Sequence, residues 1–447
     1  MDKRFLLLVL LLASLLVRLG LFFTTWGDLR HGSALDYGSA AIGLSRGQGL
    51  TIHPLERERI ERLADNFSGD YLEFYSRNDR VVFTEFLPGP AILMAALWKI
   101  VPIHNFAPYI ILQVILDSIL ISLLYAVFHA TGKSISLMAA TIMVFNLPVI
   151  RRTLMVGYDF WPQFSVLVSF IGLYCAISKN SPRIFLLTGF LAGITAWFRE
   201  ITSFLPFLLV VLIVIYQKSK QRRSNSAILK NTLLYILPVL LLISSLSLLR
   251  YSYTGSMRPT RSTFWHSFFS GVAQFSNPYG IKSSDDEVWR LGQRLNPELE
   301  GESLSEMYRT PDSPYELTLK KEASRFLKNY PHLFVRNIFY RMVIMISPFL
   351  YRGGDFVPSS LFGILLPIGI VALLLWFVGM NYLYRNFDLI FWVSASIYVH
   401  FLITFGCFYV VGRVILPFLF INILVYLCGL KSIFEKYRKT ISAGTAQ

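Results

Sequence analysis

The chain has 447 residues, 54% hydrophobic and 15% charged, with a mean hydropathy of +0.53; spread over a soluble surface, that composition would leave large apolar patches, so the bilayer must solvate much of it. The net charge of +15 does not point to nucleic acid, because the basic residues are not gathered into one soluble module and the aromatics lie within apolar runs. Cys175, Cys407 and Cys428 also sit in apolar runs, as packing residues would, rather than in a disulfide framework or a metal site.

Apolar runs of roughly 17 to 25 residues, the length a membrane-spanning helix requires, recur along the chain and predict an all-α, polytopic transmembrane helix bundle of about ten spans. The first, 5–25, follows the basic start Met1–Arg4, is too long for a signal-peptide core and lacks an Ala-x-Ala exit; it reads as an uncleaved anchor. After a long segment, 26–106, come spans at 107–130, 135–150, 161–178, 183–198, 201–217 and 230–249. A second long segment, 250–357, precedes the last spans, 358–384, 387–406 and 410–430. Two further apolar stretches do not count as spans. Phe86–Ile103 is interrupted by Pro88-Gly89-Pro90, and Tyr330–Leu350 by Arg336 and Arg341, so both are expected as surface helices.

With the N-terminus in the cytoplasm, the basic connections Gly132-Lys133, Lys179–Arg183, Gln217–Lys230 and Tyr384-Arg385, and the tail Lys431–Lys439, all fall inside. Segments 26–106 and 250–357 then face outwards, and their mixed charge, aromatics and turn residues mark them as ordered loops. Three regions result: a transmembrane core, 1–249, that includes the first outer loop; the large outer loop, 250–357; and the last spans with a short basic tail, 358–447.

The polar residues of interest collect at the outer ends of these spans. Within Ala34–Leu50, the apolar spacing from Leu35 to Leu44 suits a short surface helix closed by the glycines near Gly47 and Gly49, with Asp36 at its N-terminal end; that residue is either a functional carboxylate or a helix cap. Asp159 follows Arg151 and Arg152 in the connection Val149–Pro162, with helix capping again the plain alternative. Arg199-Glu200 forms the next outer connection, and Arg413 lies at the outer end of the last span; singly, either arginine could snorkel to the interface. Together, two acids and several guanidinium groups on one side suit a reaction that deprotonates a hydroxyl and stabilises a departing phosphate. Arg18 and Asp117 are the clearest charges inside apolar runs; they are either part of an ion path or a bundle-facing pair and an interface anchor, and their small number favours the structural roles over a relay. The chain has no phosphate loop, no His-Glu-x-x-His zinc helix and no Gly-x-Ser-x-Gly elbow. Without a nucleotide-binding domain, a sugar donor would have to be lipid-borne. No metal site is specified, although two carboxylates on one face leave a divalent cation possible.

These stretches, in order, resemble the polytopic GT-C glycosyltransferases, in the branch similar to protein mannosyltransferases and the lipid A aminoarabinose transferase. Asp36-Tyr37 with Ala40, then Gly47-Gln48-Gly49, resembles the family's Asp-Glu-x-x-Tyr segment and Gly-x-Gly turn, with Tyr37 standing where the family has Glu. Thr84–Pro90 leading into Ala91–Ile100 resembles its Pro-Pro-Gly-Tyr-Pro surface helix, and Asp159 falls where these enzymes carry a second acid. Gly189–Glu200 resembles a Gly-rich span ending in arginine, Leu249–Gly255 the Arg-Asn-Tyr-x-x-x-Gly exit, Ala323–Pro331 the helix ending in Asn-Pro, and Arg413 with Pro417 an Arg-x-x-x-Pro. The resemblance implies inverting transfer of a sugar from a polyprenyl-phosphate donor to a hydroxyl of a glycan, lipid or protein acceptor, on the outer face of a bacterial inner membrane. It implies Asp36 as general base and Asp159 as an orienting acid. Arg152, Arg199 and Arg413 would bind the donor phosphate, and Tyr37, Glu85, Arg151, Tyr158 and Glu200 would contact substrate. The alternatives are a transporter or flippase, which the absence of an internal repeat weakens, and a glycan polymerase or ligase acting on a lipid-linked saccharide.

Overall fold

The computed structural model describes residues 2–25, 33–52, 81–82, 87–101, 106–156, 160–199, 202–257, 263–282, 284–302, 313–346, 351–352, 355–356, 359–405 and 412–444. Among these, regular structure is helical apart from two short antiparallel pairs, Thr51–Ile52 with Val81–Val82 and Tyr351–Arg352 with Asp355–Phe356. The helices of the first half are α1 (Lys3–Thr25), α2 (Ser33–Ser45), α3 (Gly89–Leu97), α4 (Ala107–Phe128), α5 (Lys133–Phe145), α6 (Leu147–Leu154), α7 (Phe160–Lys179), α8 (Pro182–Thr195), α9 (Leu205–Ser219) and α10 (Asn225–Thr254). Four more, α11 (Phe264–Val272), α12 (Asp285–Leu295), α13 (Pro314–Asn329) and α14 (Pro331–Ile346), precede α15 (Ser359–Asn386), α16 (Asp388–Phe405) and α17 (Gly412–Gly444).

An apolar helix stands at each expected span, but helix length gives a smaller count than about ten. Among the described residues, six helices are long and apolar enough to cross a membrane, and a seventh crossing follows if α5 and α6, bent by 54°, are one span. Helices α8 and α9 have 14 and 15 residues, or about 21–23 Å at 1.5 Å per residue, against a hydrocarbon core of about 30 Å.

The basic connections do share one end of the bundle. Lys3 Nζ donates to the Ala126 carbonyl and Lys431 Nζ to that of Thr131, both at 3.3 Å, so the chain start and the tail both meet the C-terminal end of α4. Asn231 Nδ2 donates to Asn180 Oδ1 at 3.3 Å and Gln217 Oε1 at 3.4 Å, and Lys220 pairs with Asp388 at 3.4 Å. Cations at these helix C-termini complement the partial negative charge of the exposed carbonyls. Within the bundle, α8 lies so close to α10 that a Cβ added at Gly189 would come 2.0 Å from the Tyr235 carbonyl oxygen. Glycine is what allows that approach.

Residues 264–334 build a second, smaller core, which includes Phe268, Phe269, Val288, Leu291, Tyr315 and Phe326. Its central helix, α11, is closed at both ends by charge. Glu316 accepts from the Trp265 and His266 amides at 2.8 and 3.1 Å, and Arg341 donates to the Gly271 carbonyl at the other end. Both placements suit the helix dipole. His266 lies between the Tyr315 hydroxyl, 2.6 Å away, and Asp285, 3.0 Å away. Burial pushes the Tyr315 phenol well above its ordinary range, with the Glu316 and Asp285 charges adding to the effect.

Helix α14 modifies the expectation of a surface helix over Tyr330–Leu350. Val335 and Phe339 are exposed as expected, but Ile344, Met345 and Ile346 are buried in the main core, and the Met345 carbonyl accepts from Asn422 Nδ2 at 2.8 Å. Arg341 is buried and hydrogen-bonded to Gln274 Oε1 and the Gly271 carbonyl, with its guanidinium over the Phe275 ring. An arginine inside an apolar stretch can therefore mark a loop partner as well as a surface position.

Candidate functional site

The site begins with the break in the third span, expected as continuous from 135 to 150. Asn146 leaves helical geometry, and its Oδ1 accepts from the Val149 amide at 3.1 Å, so α6 starts as a separately capped helix. Pro148 has no N–H, so the Val144 carbonyl could not be satisfied by continuing α5. Arg18 takes that place: its Nη1 donates to the Val144 carbonyl at 3.3 Å and its Nη2 to that of Met143 at 3.4 Å.

The same guanidinium pairs with Asp117 at 2.7 Å, both side chains being 0% exposed. Asp117 Oδ2 also accepts from Thr153 Oγ1 at 3.1 Å, and Oδ1 from Gln163 Nε2 at 2.9 Å. One turn earlier on α4, Gln113 Nε2 donates to the Thr153 and Met155 carbonyls at 3.0 and 3.2 Å. A charged pair with every hydrogen bond supplied by protein is how ions persist in a dry interior. The network joins α1, α4, the α5–α6 break and α7.

Helix α6 carries Arg151, exposed, and Arg152, half-buried, with Arg152 Nη1 3.7 Å from Met155 Sδ. They therefore lie on a helix rather than in an open connection. Beside them, Trp161 of α7 stacks on Phe198 with ring centroids 3.8 Å apart and donates to the Tyr109 hydroxyl at 2.8 Å. This stack brings the turn after α8, ending in half-buried Arg199, to the start of α7. Helix α3 sits on that turn: the Gly89 amide donates to the Trp197 carbonyl at 2.9 Å, and a Cβ on Gly89 would come 2.6 Å from that oxygen.

Helix α2 packs on α3. It carries Asp36 and, next to it, Tyr37, buried at 1% exposure. Helix α17 contacts both α5 and α6. Because Lys431 meets the start of α5 beside Gly132, α6 faces the opposite, N-terminal part of α17, the part that carries Arg413. The end of the bundle remote from the basic connections thus gathers the elements bearing Asp36, Tyr37, Arg151, Arg152, Arg199 and Arg413. The side chains of Asp36 and Arg413 are outside the described set, and Glu85, Tyr158, Asp159 and Glu200 lie outside the described residues. Among the described residues, no group of three or more His, Cys, Asp or Glu side chains could hold a metal ion.

The sequence alone does not mark Thr153 and Gln163 as partners of Asp117, or Gln113 as the donor to the Thr153 and Met155 carbonyls. Pro148 inside the expected span was the available signal for the break; uncharged polar residues in apolar runs gave no sign of which helix they would meet.

No family model matches the chain, and neither does any curated protein sequence. Among solved structures, the chain is similar to the archaeal oligosaccharyltransferase AglB from Archaeoglobus fulgidus, in complex with an inhibitory peptide and a dolichol-phosphate. The TM-score is 0.52 at 11% identity, over 100% of this chain and 52% of that one. It is likewise similar to an apo crystal structure of the Archaeoglobus fulgidus oligosaccharyltransferase, with TM-score 0.50 and 12% identity over 99% of this chain and 52% of that one. The chain has a GT-C fold. It spans about half the length of the solved structures it matches, and at this identity the GT-C likeness concerns the fold alone.

Proposed function

We propose that the protein is a membrane glycosyltransferase. It moves a sugar from a polyprenyl-phosphate donor to a hydroxyl of a glycan, lipid or protein acceptor, by inverting displacement at the end of the bundle opposite the basic connections. In this reading the basic end and both termini are cytoplasmic, the reaction faces outwards, and the setting is a bacterial inner membrane. The observation that carries it is the convergence, in a GT-C fold, of α2, α6, the turn at Arg199 and the start of α17 at one end. The neighbour solved with a dolichol-phosphate supports a lipid-linked donor.

Asp36 accepts the proton of the acceptor hydroxyl as its oxygen attacks the anomeric carbon, while Asp159 orients the attacked sugar or the acceptor. The bond from that carbon to the phosphate oxygen breaks, and its electron pair leaves with the polyprenyl phosphate. Arg152, Arg199 and Arg413 bind that phosphate, and their contacts strengthen as charge develops on it. Tyr37, buried beside Asp36, fixes α2; Arg151, Tyr158, Glu85 and Glu200 line the substrate path. A divalent cation could assist the acids, although no described cluster would hold one.

The Asp36→Asn variant tests the base. We expect a loss of transfer of about 100-fold or more, with unchanged membrane insertion and thermal midpoint. Wild-type turnover in that variant would remove Asp36 from the chemistry.

A further inference from the structure

The buried Arg18–Asp117 pair goes unused in the proposed reaction, and its surroundings point to a second role. Each carboxylate oxygen of Asp117 is held from a different helix: Oδ2 by Arg18 of α1 and Thr153 of α6, Oδ1 by Gln163 of α7. Thr153 and Gln163 lie on either side of the connection between α6 and α7, so one side chain fixes both flanks. Arg18 in turn fills the carbonyls that Pro148 and the break at Asn146 leave open on α5. Ser14 donates to Ser118 at 3.0 Å one turn away, which holds the two spans in register. Exchanging a buried ion pair for apolar side chains is often neutral, so stability is a separate question from the direction the pair imposes on α6.

We infer that the Arg18–Asp117 pair is a positioning element: it sets the direction in which α6 leaves the third span, and through α6 it places Arg152 for the donor phosphate. The second half of this inference rests on the glycosyltransferase reading; the first half does not. Arg152 follows from its place one residue before Thr153, whose hydroxyl Asp117 grips, so rotation of α6 about the break would carry the guanidinium with it.

The test uses the full-length protein in detergent or nanodiscs. Replacing both charges, Arg18→Leu with Asp117→Leu, should leave the fold intact while lowering donor turnover tenfold or more, with the acceptor KM unchanged. Thr153→Val, which removes one hydroxyl and keeps the shape, should lower turnover several-fold at an unchanged melting temperature; it decides the matter if the double replacement fails to fold. In an Arg152→Ala background, either change should have little further effect, because both act through Arg152. Wild-type turnover in both variants, or effects that simply multiply with Arg152→Ala, would overturn the placement of Arg152.

A readout independent of activity uses spin labels on Lys99→Cys and Arg151→Cys in a cysteine-free background. Their distance distribution should shift and broaden when the pair is replaced, or with Thr153→Val. An unchanged distribution would overturn the orienting role. A wild-type protein that releases no polyprenyl phosphate would instead count against the glycosyltransferase reading, leaving the label distances to decide what orients α6.

Discussion

The helix bundle and the small lobe of residues 264–334 place their polar groups in opposite ways. In the lobe, apolar and aromatic side chains form the centre and charge is spent on helix ends, with Glu316 and Arg341 closing α11. In the bundle the outward faces are apolar, Leu16, Phe145 and Leu241 being 70%, 63% and 71% exposed, while Arg18 and Asp117 are fully enclosed. Lipid explains the difference. When the surrounding solvent is as apolar as the core, burying leucine discriminates little between one helix arrangement and another, and hydrogen bonds between helices become the specific contacts. In the lobe, water makes apolar burial decisive.

Removing one polar partner from each region should therefore have unequal effects. Asp117→Leu alone leaves Arg18 charged and without its partner carboxylate in the interior, and should destabilise the protein by about 3–5 kcal/mol. Thermal unfolding in detergent measures it, and the paired Arg18→Leu replacement should restore most of the loss. A single variant as stable as the wild type would mean that the bundle does not depend on this pair. The smaller effect is expected in the lobe. Glu316→Ala leaves the Trp265 and His266 amides without their acceptor and should cost about 1–2 kcal/mol, seen as faster proteolysis within 264–334 and no change in the bundle's unfolding. Equal losses from the two substitutions would erase the distinction between the regions.

Much of this was legible in the amino-acid sequence because the bilayer imposes a length on apolar runs. The ten apolar stretches and the gathering of basic connections can be read from run length and loop charge. The break at Asn146 is hidden because the run 135–150 stays apolar through Pro148, and for that reason Arg151 and Arg152 read as part of a connection instead of α6. The ion pair itself was visible as two charges in apolar runs. Its partners were not, since Thr153 and Gln163 lie 36 and 46 residues from Asp117 and only packing brings them together. The insertion of the end of α14 was hidden for a related reason: Arg341 reads as a surface charge until Gly271 and Gln274 are known to face it.

In the proposed reaction this GT-C bundle breaks the bond between a sugar and a polyprenyl phosphate. The most direct measurement incubates the purified full-length protein, in proteoliposomes, with radiolabelled polyprenyl-phosphate sugars and candidate hydroxyl acceptors. Polyprenyl phosphate should be released with label appearing on the acceptor, and both should be lost in Asp36→Asn. Movement of the intact donor across the bilayer without cleavage would contradict the proposed reaction and make the protein a transporter.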